Sequence, residues 1–539
     1  MEIHLVSPEA TRLAPPSSER TTIPCFDPAT LEPLGEVPAM SGEEVRARVV
    51  RARRAQAAWQ KTSFAERRRV LGLLLEYLLD HADELCNVIA RDAGKTRENA
   101  LLGELWPVAE KLRHTIATGE RDLAPERVPS GLLLHKVATI EFQPIGVIGV
   151  ICPWNFPLQN ILGPTIPALM AGNAVLVKVS EWTSWSAPRF QAMLDEVLRQ
   201  AGHSPDLVQI LTGYGETGAA LVRAPVDKII FTGSVGNGRR VLATAAETLT
   251  PVILELGGKD PFIVCEDANL DKAVASAMQG VFIASGQMCL AAERLYVHRA
   301  VYDVFVDQVV HKARELRQGA PLAGGVIDVG AMTMPQQVDI VERLVADAVR
   351  KGACVRTGGR RCEQGGQFYE PTVLTGVTHD MEIMREETFG PVMCIMRVNS
   401  DEEAIRLAND SHFGLGGTII TKSNERARRI AREIIAGQVC INDFGLPYMV
   451  NSLPFGGVRN SGFGRLNGRE GIRACTNMKS VLTDRFPIPG AAHFFPVSQD
   501  TFEGARAAIE LIYRRRWRDR ARAVMDLVQG VGQQLLGRN

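Results

Sequence analysis

Residues 146–179 read GVIGVICPWNFPLQNILGPTIPALMAGNAVLVKV. An apolar run rich in valine and isoleucine (146–152) gives way to a helical run (158–171) and then to a second apolar run (174–179). Short, uniformly apolar runs bounded by Gly and Pro are what strands covered on both faces look like. The stretch therefore predicts a strand–helix–strand unit. The alternation continues, with strands predicted at 207–211 and 228–231 and helices at 187–201, 215–224 and 239–247. Such a series implies an α/β fold, a parallel sheet with helices on both faces. Sheets of this kind bind ligands beyond the carboxyl ends of their strands.

Toward the N-terminus, Ser41-Gly42-Glu43-Glu44 is a capping box that opens a helix running toward Trp59. Further amphipathic helix is predicted at 65–89 and 98–119, and residues 1–40 are Pro-rich and irregular. The run 132–142 reads as a strand that pairs with a late segment or extends a sheet in another subunit. Toward the C-terminus a second α/β region spans about 257–455. Its predicted helices are 270–283, 301–316 and 336–351, and its strands 294–298, 392–398 and 416–421. A strand at 479–482 precedes the tail.

The totals exclude several classes. In 539 residues Lys+Arg and Asp+Glu both number 61, which argues against a general nucleic-acid binder. The ten cysteines are scattered, with no C-x-x-C pair, so neither a disulfide framework nor a structural zinc is expected. That usage points to a reducing, cytoplasmic setting. The N-terminus lacks the basic and apolar segments of a signal peptide, and no apolar run is long enough to span a membrane.

The chemistry centres on Gly286-Gln287-Met288-Cys289. Alone, a free cysteine in an apolar stretch reads as a small core hydrophobe. Three other stretches change that reading: Pro153-Trp154-Asn155-Phe156-Pro157, Leu254-Glu255-Leu256-Gly257-Gly258-Lys259 and Glu386-Glu387-Thr388-Phe389-Gly390-Pro391. A thiol nucleophile needs a base and an oxyanion donor, and these segments contain both. Phe231-Thr232-Gly233-Ser234-Val235-Gly236 follows a strand and opens a helix, which suits a diphosphate, although a plain glycine turn fits as well. Lys178-Val179-Ser180-Glu181 ends a strand of the same sheet, where Lys and Glu suit ribose hydroxyls or a solvated loop. A carboxylate there repels a 2′-phosphate, a lean toward NAD over NADP.

Together with the late PFGGVRNSGFGR (454–465), these ordered motifs resemble the aldehyde dehydrogenase superfamily over roughly residues 20–485. The resemblance implies a Rossmann-type cofactor domain (1–131 and 145–256) and an α/β catalytic domain (257–456). It also implies a β-strand oligomerisation element (132–144 and 457–486), leaving 487–539 as a helical extension. It implies Cys289 as nucleophile, Glu255 as general base and Asn155 as oxyanion donor. Cofactor contacts would come from Ile151, Pro153, Trp154, Lys178, Ser180, Glu181, Gly233, Ser234, Leu256, Gly257, Glu387 and Phe389. The implied cofactor is NAD, with NADP possible, and the implied assembly a homodimer or homotetramer. No metal is implied.

The sequence departs from the superfamily at two places. Arg459 stands where a Lys is common, and Leu466 stands where many members carry an acid that relays protons. The long tail looks most like a plant and fungal branch without a settled substrate. Phe156, Met288, Leu290, Phe444 and Phe455, with Tyr448, Met449 and Trp106 beside them, are the expected substrate lining. They suggest an apolar aliphatic or aromatic aldehyde, and no Arg beside the nucleophile awaits a second carboxylate. The competing readings are a CoA-acylating enzyme, which the presence of Glu255 disfavours, and a silent relative serving as a binding or structural protein.

From Thr501 the tail reads as amphipathic helix, with Phe502, Ile509, Tyr513, Trp517, Val524 and Val528 on an apolar side and eight arginines against four acids elsewhere. Over 501–531 this pattern suits peripheral contact with an anionic membrane, or packing on the protein itself.

Overall fold

A computed structural model describes residues 21–486, Phe495 and 499–536. The chain forms two compact units. The larger comprises residues up to Pro125 and Glu141–Lys479, and the smaller Glu126–Ile140 and Ser480 onward.

The larger unit is built on two sheets. The first runs, in spatial order, Gly462–Phe463, Val252–Leu256, Lys228–Gly233, Val147–Ile151, Ala174–Lys178 and Val208–Leu211. Every pairing is parallel except that of Gly462–Phe463 with Val252–Leu256. The strands around Val147–Ile151 are wholly buried, which accounts for their uniform hydrophobicity. Strand order reverses at Val147–Ile151, because successive strands lie on one side of it and then on the other. That reversal opens a crevice at the carboxyl ends. The second sheet holds Cys354–Thr357, Thr372–Thr375, Val392–Val398, Ala292–His298, Asp260–Val264, Thr418–Ile420 and Cys440–Ile441, parallel except at its first pair.

Most predicted elements end within a residue or two of their observed limits. Ser41 caps the helix Gly42–Trp59 as a full capping box, accepting from Glu44 N at 3.2 Å while its own N–H donates to Glu44 Oε2 at 2.8 Å. Three predictions are corrected. The helix expected at 65–89 is two, Phe64–Asp80 and Ala82–Ala93, because His81 leaves helical geometry. The helix expected at 98–119 contains a π-helical turn at Leu101–Leu105, which rotates Glu104 into the interior. The strand expected from 132 begins at Lys136, since Leu132-Leu133-Leu134 lie in a turn closed by Lys136 N–H to Leu133 O. Within 457–486, Gly462–Phe463 joins the first sheet and Thr476–Asp484 pairs elsewhere.

Thr476–Asp484, Lys136–Pro144 and Glu126–Val128 form a three-stranded sheet with Thr476–Asp484 on one edge. In the smaller unit the tail is two helices, Gln499–Tyr513 and Trp517–Leu536, rather than one. The break falls at Arg514-Arg515-Arg516. The helices pack on each other, with Ala507 and Ala523 buried.

Candidate active site

The loop that leads to Cys289 begins where the helix Leu270–Phe282 ends. Ala284, Ser285 and Gly286 all adopt left-handed backbone (φ 50°, 56° and 71°). The two non-glycine residues each cost about 1–2 kcal/mol in that region, so the loop must be held. Ala284 N–H donates to Asn99 Oδ1 (2.7 Å), and Ser285 Oγ donates to Gly330 O (2.9 Å). Gln287 Nε2 donates to Ala284 O (3.0 Å), while Gln287 Oε1 accepts from Thr333 N (2.9 Å). Gly286 cannot be replaced freely: a β-carbon there would sit 2.2 Å from Gly390 O. This over-determined turn delivers Cys289 to a cavity wall.

Glu255 ends the strand Val252–Leu256 and is 3% exposed. Burial pushes its carboxyl up to about 8, with Asp260 adding to the rise and the Cys289 thiol opposing it. Its Oε1 is buried without a hydrogen-bond partner. Burial and the Glu255 carboxylate hold the Cys289 thiol well above the ordinary range. Thiol and carboxyl thus face each other in a buried setting where the thiol eases ionisation of the carboxyl while the carboxylate opposes ionisation of the thiol. Asn155 Nδ2 donates to Gln287 O (2.9 Å), which fixes the amide beside the loop and leaves its second N–H available.

Two buried residues that the sequence reading missed hold Asn155. Lys95 Nζ donates to Asn155 O (2.6 Å) and pairs with Glu104 (2.8 Å). Glu104 Oε2 accepts from Leu158 N (2.8 Å) and Gln159 N (3.1 Å), capping the helix Pro157–Met170 in place of an N-cap side chain. Nothing in the spacing of a Lys and a Glu nine residues apart announces this. The signal available was the lack of any capping residue before Pro157.

The expected cofactor residues lie at the carboxyl ends of the first sheet. Lys178, 5% exposed, pairs with Glu181 at 3.5 Å, and burial lowers its amine. Ser234 caps the helix Val235–Ala246 by accepting from Asn237 N (3.4 Å). Glu387 Oε1 accepts from Gly258 N (3.0 Å), and burial raises its carboxyl well above the usual range. Phe389, itself left-handed at φ 48°, stands edge-on to Trp154 with ring centroids 5.4 Å apart. Its loop is clamped by Glu293, which accepts from Thr388 N (2.7 Å) and Phe389 N (3.0 Å) and is ion-paired with Lys259. These residues fit a nicotinamide dinucleotide: carboxylates for ribose hydroxyls, a capped helix start for a diphosphate, and acidic walls at Glu255 and Glu387 for a cationic ring.

A profile of the aldehyde dehydrogenase family matches residues 15–481. The chain belongs to the aldehyde dehydrogenase family. It is 38% identical to 4,4′-diapolycopene aldehyde oxidase of a Methylomonas species, over 92% of each chain. It is 37% identical to succinate-semialdehyde dehydrogenase [NADP(+)] 1 of Mycobacterium bovis, over 85% of this chain and 99% of that one. The NAD+ complex of a Bacillus cereus aldehyde dehydrogenase superposes with a TM-score of 0.82 at 33% identity, covering 86% and 94% of the two chains. The enzyme is an oxidoreductase with the aldehyde dehydrogenase fold, and the family's general reaction is NAD(P)-dependent aldehyde oxidation.

All expected catalytic, cofactor and substrate residues of the dehydrogenase line one continuous cavity of about 1540 Å³. Phe156, Met288, Leu290, Phe444, Tyr448, Met449 and Phe455 are in its lining, where Tyr448 and Phe455 meet edge-on at 4.8 Å. Trp106 also lines the cavity and is largely exposed. The sequence reading missed Lys111 and Gln159, polar side chains in the same wall.

Proposed function

We propose that the enzyme oxidises an apolar aliphatic or aromatic aldehyde to its acid by covalent catalysis at Cys289. The observation that carries this is the Cys289 thiol facing the buried Glu255 carboxyl, with Asn155 fixed beside them. Cys289 gives its proton to the ionised Glu255 carboxylate and attacks the aldehyde carbon as thiolate, and the oxyanion is met by the Asn155 amide together with the Cys289 N–H. Such a donor is worth about 3–4 kcal/mol in the transition state. Glu387, Lys178, Glu181 and Ser234 would hold the cofactor, which supplies hydride acceptance when bound. Glu255, its first proton shed, then takes a proton from the water that attacks the thioester, releasing the acid and Cys289 as thiolate.

The apolar lining supports the substrate class. One relative is named for 4,4′-diapolycopene aldehyde and another for succinate semialdehyde, so names alone do not decide. In this reading 1–131 and 145–256 bind cofactor, 257–456 carries the nucleophile, and the segments around 132–144 and 457–486 assemble a dimer or tetramer. The exposed edge strand Thr476–Asp484, with Met478 68% and Leu482 51% exposed, supports that assembly. Ten free thiols support a cytoplasmic setting. Exposed Phe502, Tyr513, Trp517 and Met525 beside the arginines of 514–522 support peripheral contact with an anionic bilayer. No helix among the described residues is long and apolar enough to cross one.

The test is NADH and NADPH formation over short, long, aromatic and carboxylate-bearing aldehydes, with wild type and Cys289→Ala side by side. Turnover of decanal or benzaldehyde, lost in the variant, is the expected result. A much higher kcat/KM for succinic semialdehyde would overturn the substrate class. Liposome co-sedimentation unchanged by removal of 487–539 would overturn the membrane contact.

A further inference from the structure

The cavity has a polar end that the chemistry at Cys289 leaves unused. Lys111, on the helix Trp106–Asp122, is 6% exposed, and no carboxylate among the described residues pairs with it. Its Nζ donates to Gly163 O at 3.2 Å. A β-carbon on Gly163 would lie 3.4 Å from Gln159 Nε2, 3.7 Å from Lys111 Nζ and 4.0 Å from Tyr448 Oη. Three polar atoms therefore converge on one point of an otherwise apolar wall. Gln159 Nε2 donates to the Tyr448 hydroxyl. Tyr448 shares the cavity lining with Cys289 and Glu255, and burial, with the charges of Cys289 and Glu255 adding to it, keeps its phenol protonated.

On its other side Lys111 lines a second cavity of about 20 Å³, room for one water molecule. Lys111 and Leu466 border both cavities. The small one also meets Asn467, whose Oδ1 is buried without a partner, and the buried Asp122. Its outer wall includes His114 and Thr118, both partly exposed and 3.3 Å apart. Lys111 is thus the polar link between the chamber holding Glu255 and a polar pocket with a partly exposed wall.

The groups around the amine are few. Tyr448 lies on the chamber side, and His114 and Asp122 share its helix. The short helix Gly468–Arg473 packs against that helix, with Arg473 Nε donating to Asp122 O at 2.8 Å, and is followed by the Cys475 thiol. Burial lowers the Lys111 amine to about 8, with Cys475 opposing. Burial raises Glu255 to about 8. Burial thus shifts donor and acceptor toward each other, which lessens the free-energy cost of a proton passing between them.

We propose that Lys111 is the proton exit of the hydrolytic half-reaction, taking over the role left open by the apolar Leu466. The inference rests on the dehydrogenase reading above. Water attacks the thioester carbon, its oxygen bonds to that carbon, and the C–S bond breaks with its electron pair going to Cys289. One water proton goes to the Glu255 carboxylate, which must shed it before the next turnover. It passes by the Tyr448 hydroxyl to the neutral Lys111 amine, and from the ammonium into the small cavity. No electrons move in this relay. In this relay Lys111 moves a proton and acts through Tyr448 and Glu255 rather than on the reacting carbon.

The test is stopped-flow and steady-state NADH formation by wild type, Lys111→Met and Lys111→Arg, in H2O and D2O. The expected variants keep the first-turnover burst at the wild-type rate and lose at least ~10-fold in steady-state turnover, short of the ~100-fold or more lost when a direct acid–base group is removed. Their solvent isotope effect on turnover is expected to rise, a change that a purely structural role would not produce. Unchanged turnover in either variant overturns the relay, as does equal slowing of burst and turnover. A rise in KM for succinic semialdehyde with turnover intact also overturns it, and makes Lys111 a carboxylate-recognition group instead. Lys111→Arg keeps the charge but cannot titrate, so it decides the matter if the Met variant fails to fold. A wild type inactive on every aldehyde refutes the parent reading; an active wild type with unaffected variants refutes the relay alone.

Discussion

Glu255 is useful because its position is unfavourable. Burial pushes its carboxyl up to about 8, and in the proposed reaction it serves as base only when ionised, so turnover is expected to rise with pH through about 8. In Glu255→Gln a single slowed NADH burst should appear and then stall, because the base takes the thiol proton before hydride transfer and the water proton after it; stopped-flow absorbance checks both. The same shift governs stability. A carboxyl whose folded value lies above its unfolded value binds more protons in the folded state, so stability falls as pH rises from the ordinary carboxylate range toward 8. Asp92 and Asp260, each pushed up to about 7 by burial, act in the same direction. Glu255→Gln is therefore expected to flatten the decline of Tm between pH 5 and 8 and to raise Tm at pH 8. The segments around Cys289, Glu255 and Asn155 were legible as candidates because their neighbours form dense local motifs, and the structure brings all three residues to one cavity. The burial that sets their ionisation was not, because it depends on two sheets meeting.

At the scale of elements, Glu104 shows what local reading loses. A π-helical turn rotates it inward, where it compensates Lys95 and caps the helix carrying Gln159. Glu104→Ala leaves the Lys95 ammonium buried without its partner, and a loss of about 3–5 kcal/mol is expected in chemical denaturation. Because Lys95 also holds the Asn155 carbonyl, kcat should fall more than KM changes. The clamp at Glu293 predicts the opposite split: Glu293→Ala frees Thr388 and Phe389, so KM for the dinucleotide should rise before kcat falls. Strands of the first sheet were readable because apolar runs survive without context. The breaks at His81 and at the arginines of 514–516 were not, since helical periodicity runs through both.

For the molecule as a whole, the edge strand Thr476–Asp484 presents Met478 and Leu482 to solvent. Left open, such an edge invites uncontrolled pairing, and a second copy of the chain is the orderly way to close it. Leu482→Arg is expected to lower the assembly's mass in light scattering while leaving the cofactor site folded. The sequence reading located a strand here but not its edge position, which follows only from where Lys136–Pro144 lies.

The turn before the nucleophile has a consequence in handedness. Ala284 and Ser285 are L-residues held in a conformation that their mirror images would adopt without strain. A semisynthetic enzyme carrying D-alanine at 284 should fold more stably than the natural one while keeping Cys289 in place. Glycine there would relieve the same strain but add freedom to the unfolded chain. Measured side by side, the two replacements separate the energetic cost of the turn from the rigidity it gives the thiol.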